Sequence, residues 1–209
     1  MPVMRKIPCL SLAPLLLSSL SYSSAEPASK QSSVASERIA KAESSFQNTS
    51  PLKLPLSHPS IVVKKSRRQL LLFSDGKLVR TYHIALGLSR TGDKVRQGDR
   101  RTPEGSFYIF AKNAKSAFYL SLGLSYPNAE HAARGLRDGL ITRSQYNQIM
   151  SALKRKLTPP QNTALGGDIY VHGNGTQSDW TWACVALENE EMRELFEAVQ
   201  VRTPVVIEP

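Results

Sequence analysis

The part of the chain from residue 59 to residue 209 predicts a mainly β fold with a few helices, an α+β arrangement whose strands come first. Three observations predict it. Short apolar runs separated by turn residues crowd the stretch from Ile61 to Phe110. Helical spacing of apolar residues appears only after Thr142. Two further apolar runs, Ile169 to His172 and Cys184 to Leu187, have the period of two that belongs to strands.

Ile61-Val62-Val63 and Gln69-Leu70-Leu71-Leu72-Phe73 read as strands, and Ser74-Asp75-Gly76-Lys77 as a hairpin turn with Asp-Gly at its centre. Leu78 to Leu86 returns as the third strand. Gly87 to Arg101 is polar and charged, a surface loop, and Thr102-Pro103-Glu104-Gly105 turns the chain into a strand from Ser106 to Phe110. Thr142 caps a helix over Arg143 to Lys154, whose Tyr146, Ile149, Met150 and Leu153 fall on one face. Asn189 caps a second helix over Glu190 to Val199, with Met192, Leu195, Phe196 and Val199 as its buried stripe. Val205-Val206-Ile207 closes the chain as a strand.

Before this domain lie two segments of different character. Arg5 and Lys6, the apolar run from Ile7 to Leu20 and Ser23-Ser24-Ala25 make residues 1–25 a secretory signal peptide. The run is shorter than the ~20 residues a spanning helix needs, and Pro8 and Pro14 interrupt it. Residues 26–58, rich in Ser, Ala, Lys and Pro, read as a flexible tether, with a turn or two of helix conceivable over Val34 to Phe46. Cutting after Ala25 removes Cys9 and leaves Cys184 as the sole cysteine, so no intramolecular disulfide is available. The expected product is exported, to the periplasm or cell wall, with no membrane span.

A formal charge of +10 suits an anionic partner. Its basic residues are spread out, no nucleic-acid-binding motif is present, and export argues further against nucleic acid. No pair among the four histidines has ligand spacing with a cysteine or carboxylate, so neither a structural nor a catalytic zinc site is expected.

Alternation along Ile169-Tyr170-Val171-His172 turns Ile169 and Val171 to one face and His172 to the other, and in the second run Val185 and Leu187 oppose Cys184. A thiol and an imidazole that both leave the core can meet on neighbouring strands as an activated nucleophile. The plainer alternative is a buried small hydrophobe and a strand-end histidine.

With these pieces assembled, the chain resembles the L,D-transpeptidase catalytic domain (YkuD type). The resemblance rests on Ile84 to Gly87, on the run from Gly98 to Gly105 (GDRRTPEG), on Leu124-Ser125-Tyr126-Pro127, and on His172-Gly173 with Thr181-Trp182-Ala183-Cys184. It implies a β-sandwich with a partly helical insertion, acting without cofactor on peptidoglycan stem peptides. Cys184 would be the nucleophile and His172 its base. Gly173 would orient the histidine, and the amides around Ala183 and Cys184 would receive the oxyanion. Trp180, Thr181 and Trp182 are candidates for the wall of the acyl pocket, although a tryptophan there could equally pack beside the loop. Tyr126 is a candidate for the cleft border and Arg134 for a substrate carboxylate. The region from Gly123 to Leu165 could form a lid.

Two positions depart from the family pattern. Ala183 stands where the family usually has glycine, so either the turn keeps φ < 0 or the oxyanion site is reshaped. Ala186 stands where relatives carry a polar side chain, and alternation puts it on the face of Cys184. Asp179-Trp180-Thr181 resembles a branch of the family in which this variation is ordinary and hydrolytic members occur. Three functions follow: L,D-transpeptidation, hydrolysis of the same bonds as a carboxypeptidase or endopeptidase, or a non-catalytic wall-binding module. A thiol unreactive near neutral pH would favour the module.

Overall fold

The computed structural model describes residues 51–209. The signal peptide, Cys9, the helical turns considered over Val34 to Phe46 and the tether up to residue 50 lie outside the described residues. Residues 51–58 lie against the domain: Leu52 and Leu56 pack on the core, and the Ser57 amide donates to Ser74 Oγ at 3.2 Å.

Eight strands form a single mixed sheet among the described residues. They are β1 (Ser60–Lys64), β2 (Gln69–Ser74), β3 (Lys77–His83), β4 (Gly105–Ser116), β5 (Tyr119–Leu124), β6 (Tyr170–His172), β7 (Val185–Ala186) and β8 (Pro204–Glu208), in the spatial order β3-β2-β1-β8-β4-β5-β6-β7. The β1–β8 and β6–β7 pairs are parallel and the others antiparallel. Between β2 and β3, Asp75 and Gly76 take φ of 46° and 73°. A two-residue turn whose twist matches the flanking strands demands that pair of positive angles.

The sheet curls until its ends meet. Ala85, just past β3, exchanges backbone hydrogen bonds of 2.9 and 2.8 Å with Ala186 of β7, and Gly87 bridges to Thr181. The two layers of the expected sandwich are therefore one sheet folded back on itself, a half-barrel. It encloses Ile61, Leu70, Ile84, Leu122, Val171 and Val185, all at most 1% exposed. Closure brings β6 and β7, at one end of the sheet order, against the segment that follows β3.

Three helices, α1 (Ala129–Arg137), α2 (Arg143–Lys154) and α3 (Asn189–Ala198), complete the described residues. At α2, Thr142 Oγ1 accepts from the Gln145 amide at 3.2 Å and Gln145 Oε1 accepts from the Thr142 amide at 2.9 Å, a full capping box. At α3 the expected cap is displaced. Asn189 is the first helical residue, Glu188 precedes it without a capping bond, and Asn189 Oδ1 instead accepts from the Asn174 amide at 2.9 Å. The helix start is thereby tied to the loop after β6.

Two elements had no clear sequence signal. β5 follows a polar, alanine-bearing stretch and gains its order from pairing with β4 and β6. Helix α1 is short, with His131, Ala132 and Gly135 as its buried face, too small a stripe to register as periodic. It packs with α2 around Ala132, Ile141, Ile149 and Leu165 in a satellite core. No helix among the described residues is long and apolar enough to cross a membrane.

Candidate active site

β6 turns Val171 into the core and sets His172 at the floor of a cleft. The imidazole is 3% exposed and lies between Phe118, at 4.8 Å between ring centroids, and Trp180, edge-on at 5.5 Å. Its Nδ1 is 2.7 Å from the Gly173 carbonyl oxygen. A carbonyl only accepts, so Nδ1 carries the proton and Nε2 keeps its lone pair. Burial pulls the pKa of His172 below the ordinary imidazole value, while the Gly173 carbonyl opposes the shift. The ring is thus a neutral base near pH 7.

Gly173 has a steric reason to be glycine. A Cβ there would lie 2.5 Å from Asn189 Oδ1 and 3.1 Å from the Phe118 carbonyl oxygen. Its amide also donates to that Phe118 oxygen at 3.0 Å, so the β4–β5 turn rests directly on the histidine's neighbour.

Cys184 lines the same cleft. Its Sγ accepts from the Tyr170 amide at 3.4 Å and donates to the Asp168 carbonyl oxygen at 3.5 Å. Burial pushes the thiol up to about 11 and the Asp168 charge adds to the shift, against a smaller pull from the Tyr170 amide. The resting pair is therefore thiol and neutral imidazole, not thiolate and imidazolium.

The loop that carries Cys184 is held at both ends. Asp179 receives Arg68 through Nε at 3.0 Å and Nη2 at 2.7 Å, and it accepts from the Leu86 amide at 2.9 Å. Thr181 Oγ1 donates to the Cys184 carbonyl at 2.8 Å and accepts from the Ala183 amide at 3.3 Å. Thr102, from the GDRRTPEG run, donates to the same carbonyl at 3.3 Å and accepts from the Gly87 amide at 3.0 Å. Ala183 between them has φ of 135° and is 1% exposed. The loop keeps a glycine-type backbone with an alanine in it, so of the two alternatives the one with φ < 0 at this turn does not hold.

The cleft encloses about 460 Å³. It gathers His172, Cys184, Trp180, Thr181 and Trp182 from the expected residues, together with Phe118, Asp168 and Tyr170. Trp180 packs on the imidazole and donates from Nε1 to the Gly175 carbonyl at 3.1 Å. Trp182 is 69% exposed at the mouth, with the Arg100 guanidinium 4.7 Å from its ring centroid. The Thr181 hydroxyl is committed to the loop, which makes it a brace more than a substrate contact.

Other expectations are corrected. Tyr126 is fully buried and donates to the Leu165 carbonyl at 3.0 Å, so it supports the core and does not border the cleft. Arg134 is engaged by Asp93 at 2.8 Å and by the Lys94 carbonyl at 2.6 Å, away from the cleft. Ala186 is fully buried between Ala85 and β6 in the sheet and does not line the cleft, although alternation put it on the face of Cys184. No cleft-lining residue comes from 123–165; the β4–β5 hairpin overhangs the site where a lid from that region was expected. Of the residues not foreseen, Tyr170 shares the outward face of β6 with His172, a usable signal. Phe118 sits in a turn and carries none.

Residues 58–207 match the L,D-transpeptidase catalytic domain family (YkuD). No curated protein shows significant similarity. Among solved structures, a variant of the helical cell shape determining protein Pgp2 from Campylobacter jejuni is 21% identical with a TM-score of 0.48, over 80% of this chain and 52% of that one. An L,D-transpeptidase from Xylanimonas cellulosilytica is 16% identical with a TM-score of 0.44, over 76% and 64%. Bd1075 from Bdellovibrio bacteriovorus is 21% identical with a TM-score of 0.45, over 73% and 48%. The chain thus spans between about half and under two thirds of the length of these structures.

Proposed function

The chain belongs to the L,D-transpeptidase catalytic domain family, and from that premise we propose that it is an exported cysteine acyl-transferase acting on peptidoglycan stem peptides in the periplasm or cell wall. The observation that carries the reading is that a histidine with its Nδ1 proton committed to Gly173 and a lone thiol line one cleft.

In the first half-reaction Cys184 Sγ attacks the L-centre carbonyl carbon of the donor stem. His172 Nε2 takes the thiol proton and delivers it to the departing amine as the peptide C–N bond breaks, leaving a thioester. An acceptor amine, or water, then attacks the thioester, loses its proton through His172, and returns Sγ to the thiol. Because burial keeps the thiol protonated at rest, His172 must act during the attack and not before it. The Ala183 amide is engaged by Thr181 Oγ1, so the Cys184 amide is the donor to which we assign the oxyanion. One such preorganised donor is worth roughly 2.7–4 kcal/mol.

Neither Ala183 nor Ala186 faces the cleft, so we do not derive a preference for water over an acceptor amine from their missing side chains. Cys184 is half-buried and its pKa is raised, so slow labelling at neutral pH is expected of the enzyme as well and does not single out a non-catalytic module.

The test is incubation with tetrapeptide muropeptides, following the protein by intact mass and the muropeptides by mass spectrometry. A thioester adduct on Cys184 with loss of the terminal D-residue is expected, and cross-linked against trimmed products report the acceptor. Unchanged muropeptides with no adduct would refute the assignment.

A further inference from the structure

We propose that Asp168 is a specificity-determining residue of the cleft, selecting donor peptides whose attacked residue carries a free ammonium on its side chain. The proposal rests on the acyl-transfer reading above. Asp168 stands directly before β6, and its carbonyl oxygen is 3.5 Å from Cys184 Sγ, so its side chain springs from the edge of the reaction centre. The residue is exposed and lines the cleft. Among the described residues no other Asp, Glu, Lys or Arg lines it.

The carboxylate is also uncommitted. Around the site Asp179 pairs with Arg68 at 2.7 Å, Asp99 with Lys94 at 2.8 Å, Asp93 with Arg134 at 2.8 Å and Glu104 with Lys65 at 2.7 Å. Asp168 pairs with no cation among the described residues, and its side chain reaches only the Tyr170 hydroxyl, at 3.5 Å. In a chain of charge +10, an unpaired carboxylate beside the nucleophile is conspicuous. Its backbone is fixed: φ is 55°, and its amide donates to Gln161 Oε1 at 2.8 Å. A basic surface attracts a carboxylate-rich polymer at long range. Within the cleft the one fixed charge has the opposite sign and discriminates at contact range.

The experiment measures release of the terminal D-residue by the mature chain from two tetrapeptide donors. They differ only in whether the side-chain amine of the attacked residue is free or acetylated, and water is the sole acceptor. Asp168→Asn is the variant, because asparagine tolerates positive φ and keeps an oxygen for Tyr170. Wild type should favour the free amine by about fivefold in kcat/KM, expressed in KM, as expected of one carboxylate–ammonium pair open to solvent. In Asp168→Asn the ratio of kcat/KM for the two donors should fall to about one, a comparison within one protein in which any change at the thiol, common to both donors, cancels. Equal preference in both proteins, or none in wild type, overturns the assignment of Asp168 and leaves the acyl transfer standing. Turnover of neither donor by wild type overturns the reaction, and the assignment with it.

Discussion

Replacing Ala183 with glycine should cost the protein much less stability than that change usually does in a buried position, or should stabilise it. Ala183 holds φ at 135°, where a Cβ is strongly disfavoured, and such a residue costs on the order of 1–3 kcal/mol. Against the relief stand the loss of one buried methyl, about 0.8 kcal/mol, and the greater freedom of glycine in the unfolded chain, roughly 0.4–1 kcal/mol. The net effect of Ala183→Gly therefore lies between a small loss and a gain of about 2 kcal/mol. Ala186→Gly is the control: that alanine is equally buried, three residues on, in strand β7 and without positive φ. It has no strain to release and should lose ~1–2 kcal/mol. Urea unfolding of both variants reads the difference directly as a shift in midpoint at constant slope. In a thermal scan, 1 kcal/mol corresponds to about 2–4 °C for a chain of this size. If the two substitutions destabilise equally, the strain assigned to Ala183 is absent and the loop adopts another conformation.

Cys184→Ser should abolish acylation with stability nearly unchanged, since volume is conserved while the hydroxyl is far harder to deprotonate; intact mass after muropeptide incubation checks it. His172→Ala should lower the acylation rate by about a hundredfold or more, read with the same donor. The pH profile follows from the two shifts: His172 must be neutral to accept, and its pKa is lowered, so the acid limb of acylation should lie below the ordinary 6.5. No rise from free thiolate is expected until the pH approaches about 11. An acid limb at or above 6.5 would contradict the buried, Nδ1-protonated ring. A carbapenem, which the family resemblance implies as an acylating agent, gives a convenient single-turnover readout with the adduct mapped to Cys184. Asp179→Asn should weaken the Arg68 anchor and loosen the loop, slowing acylation and destabilising the fold. The depressed Asp179 carboxyl means that its stabilisation is present above about 3.8 and fades as the pH falls further. The denaturation midpoint of wild type should thus fall more than that of Asp179→Asn below that pH.

Period-two alternation separated His172 and Cys184, which line the cleft, from Val171, Val185 and Leu187, which lie in the core. The same alternation failed at Ala186. That residue is fully buried, in a strand flanked by Ala85, a partner a hundred residues away that reaches it only when the sheet curls closed. Tyr126 and Arg134 were misplaced for a related reason: a tyrosine and an arginine in a loop look available until Leu165 and Asp93, distant in sequence, are seen to engage them. The GDRRTPEG run was legible as a motif but not as a function. The structure makes it a brace, with Asp99 receiving the amides of Val95, Arg96 and Arg101, and Thr102 reaching across to the Cys184 carbonyl.

That brace bears on how a high-pKa thiol can serve as a nucleophile. A thiolate is what oxidants and electrophiles attack, so the raised pKa of the half-buried Cys184 lowers its reactivity at rest. The cost is that attack depends on His172 taking the proton at the moment of bond formation, which tolerates little misalignment. Each part of the loop answers that demand. Asp179 fixes its entry, Thr181 and Thr102 fix the carbonyl of Cys184, and the backbone accepts strain at Ala183 to pass between them. On the other side, Gly173 holds the imidazole by its carbonyl while Phe118 and Trp180 prevent the ring from tilting. Low intrinsic reactivity and rigid placement are consequently one design: the less thiolate the site holds at rest, the more the rate depends on geometry that Thr102 and Asp179 maintain from outside the cleft.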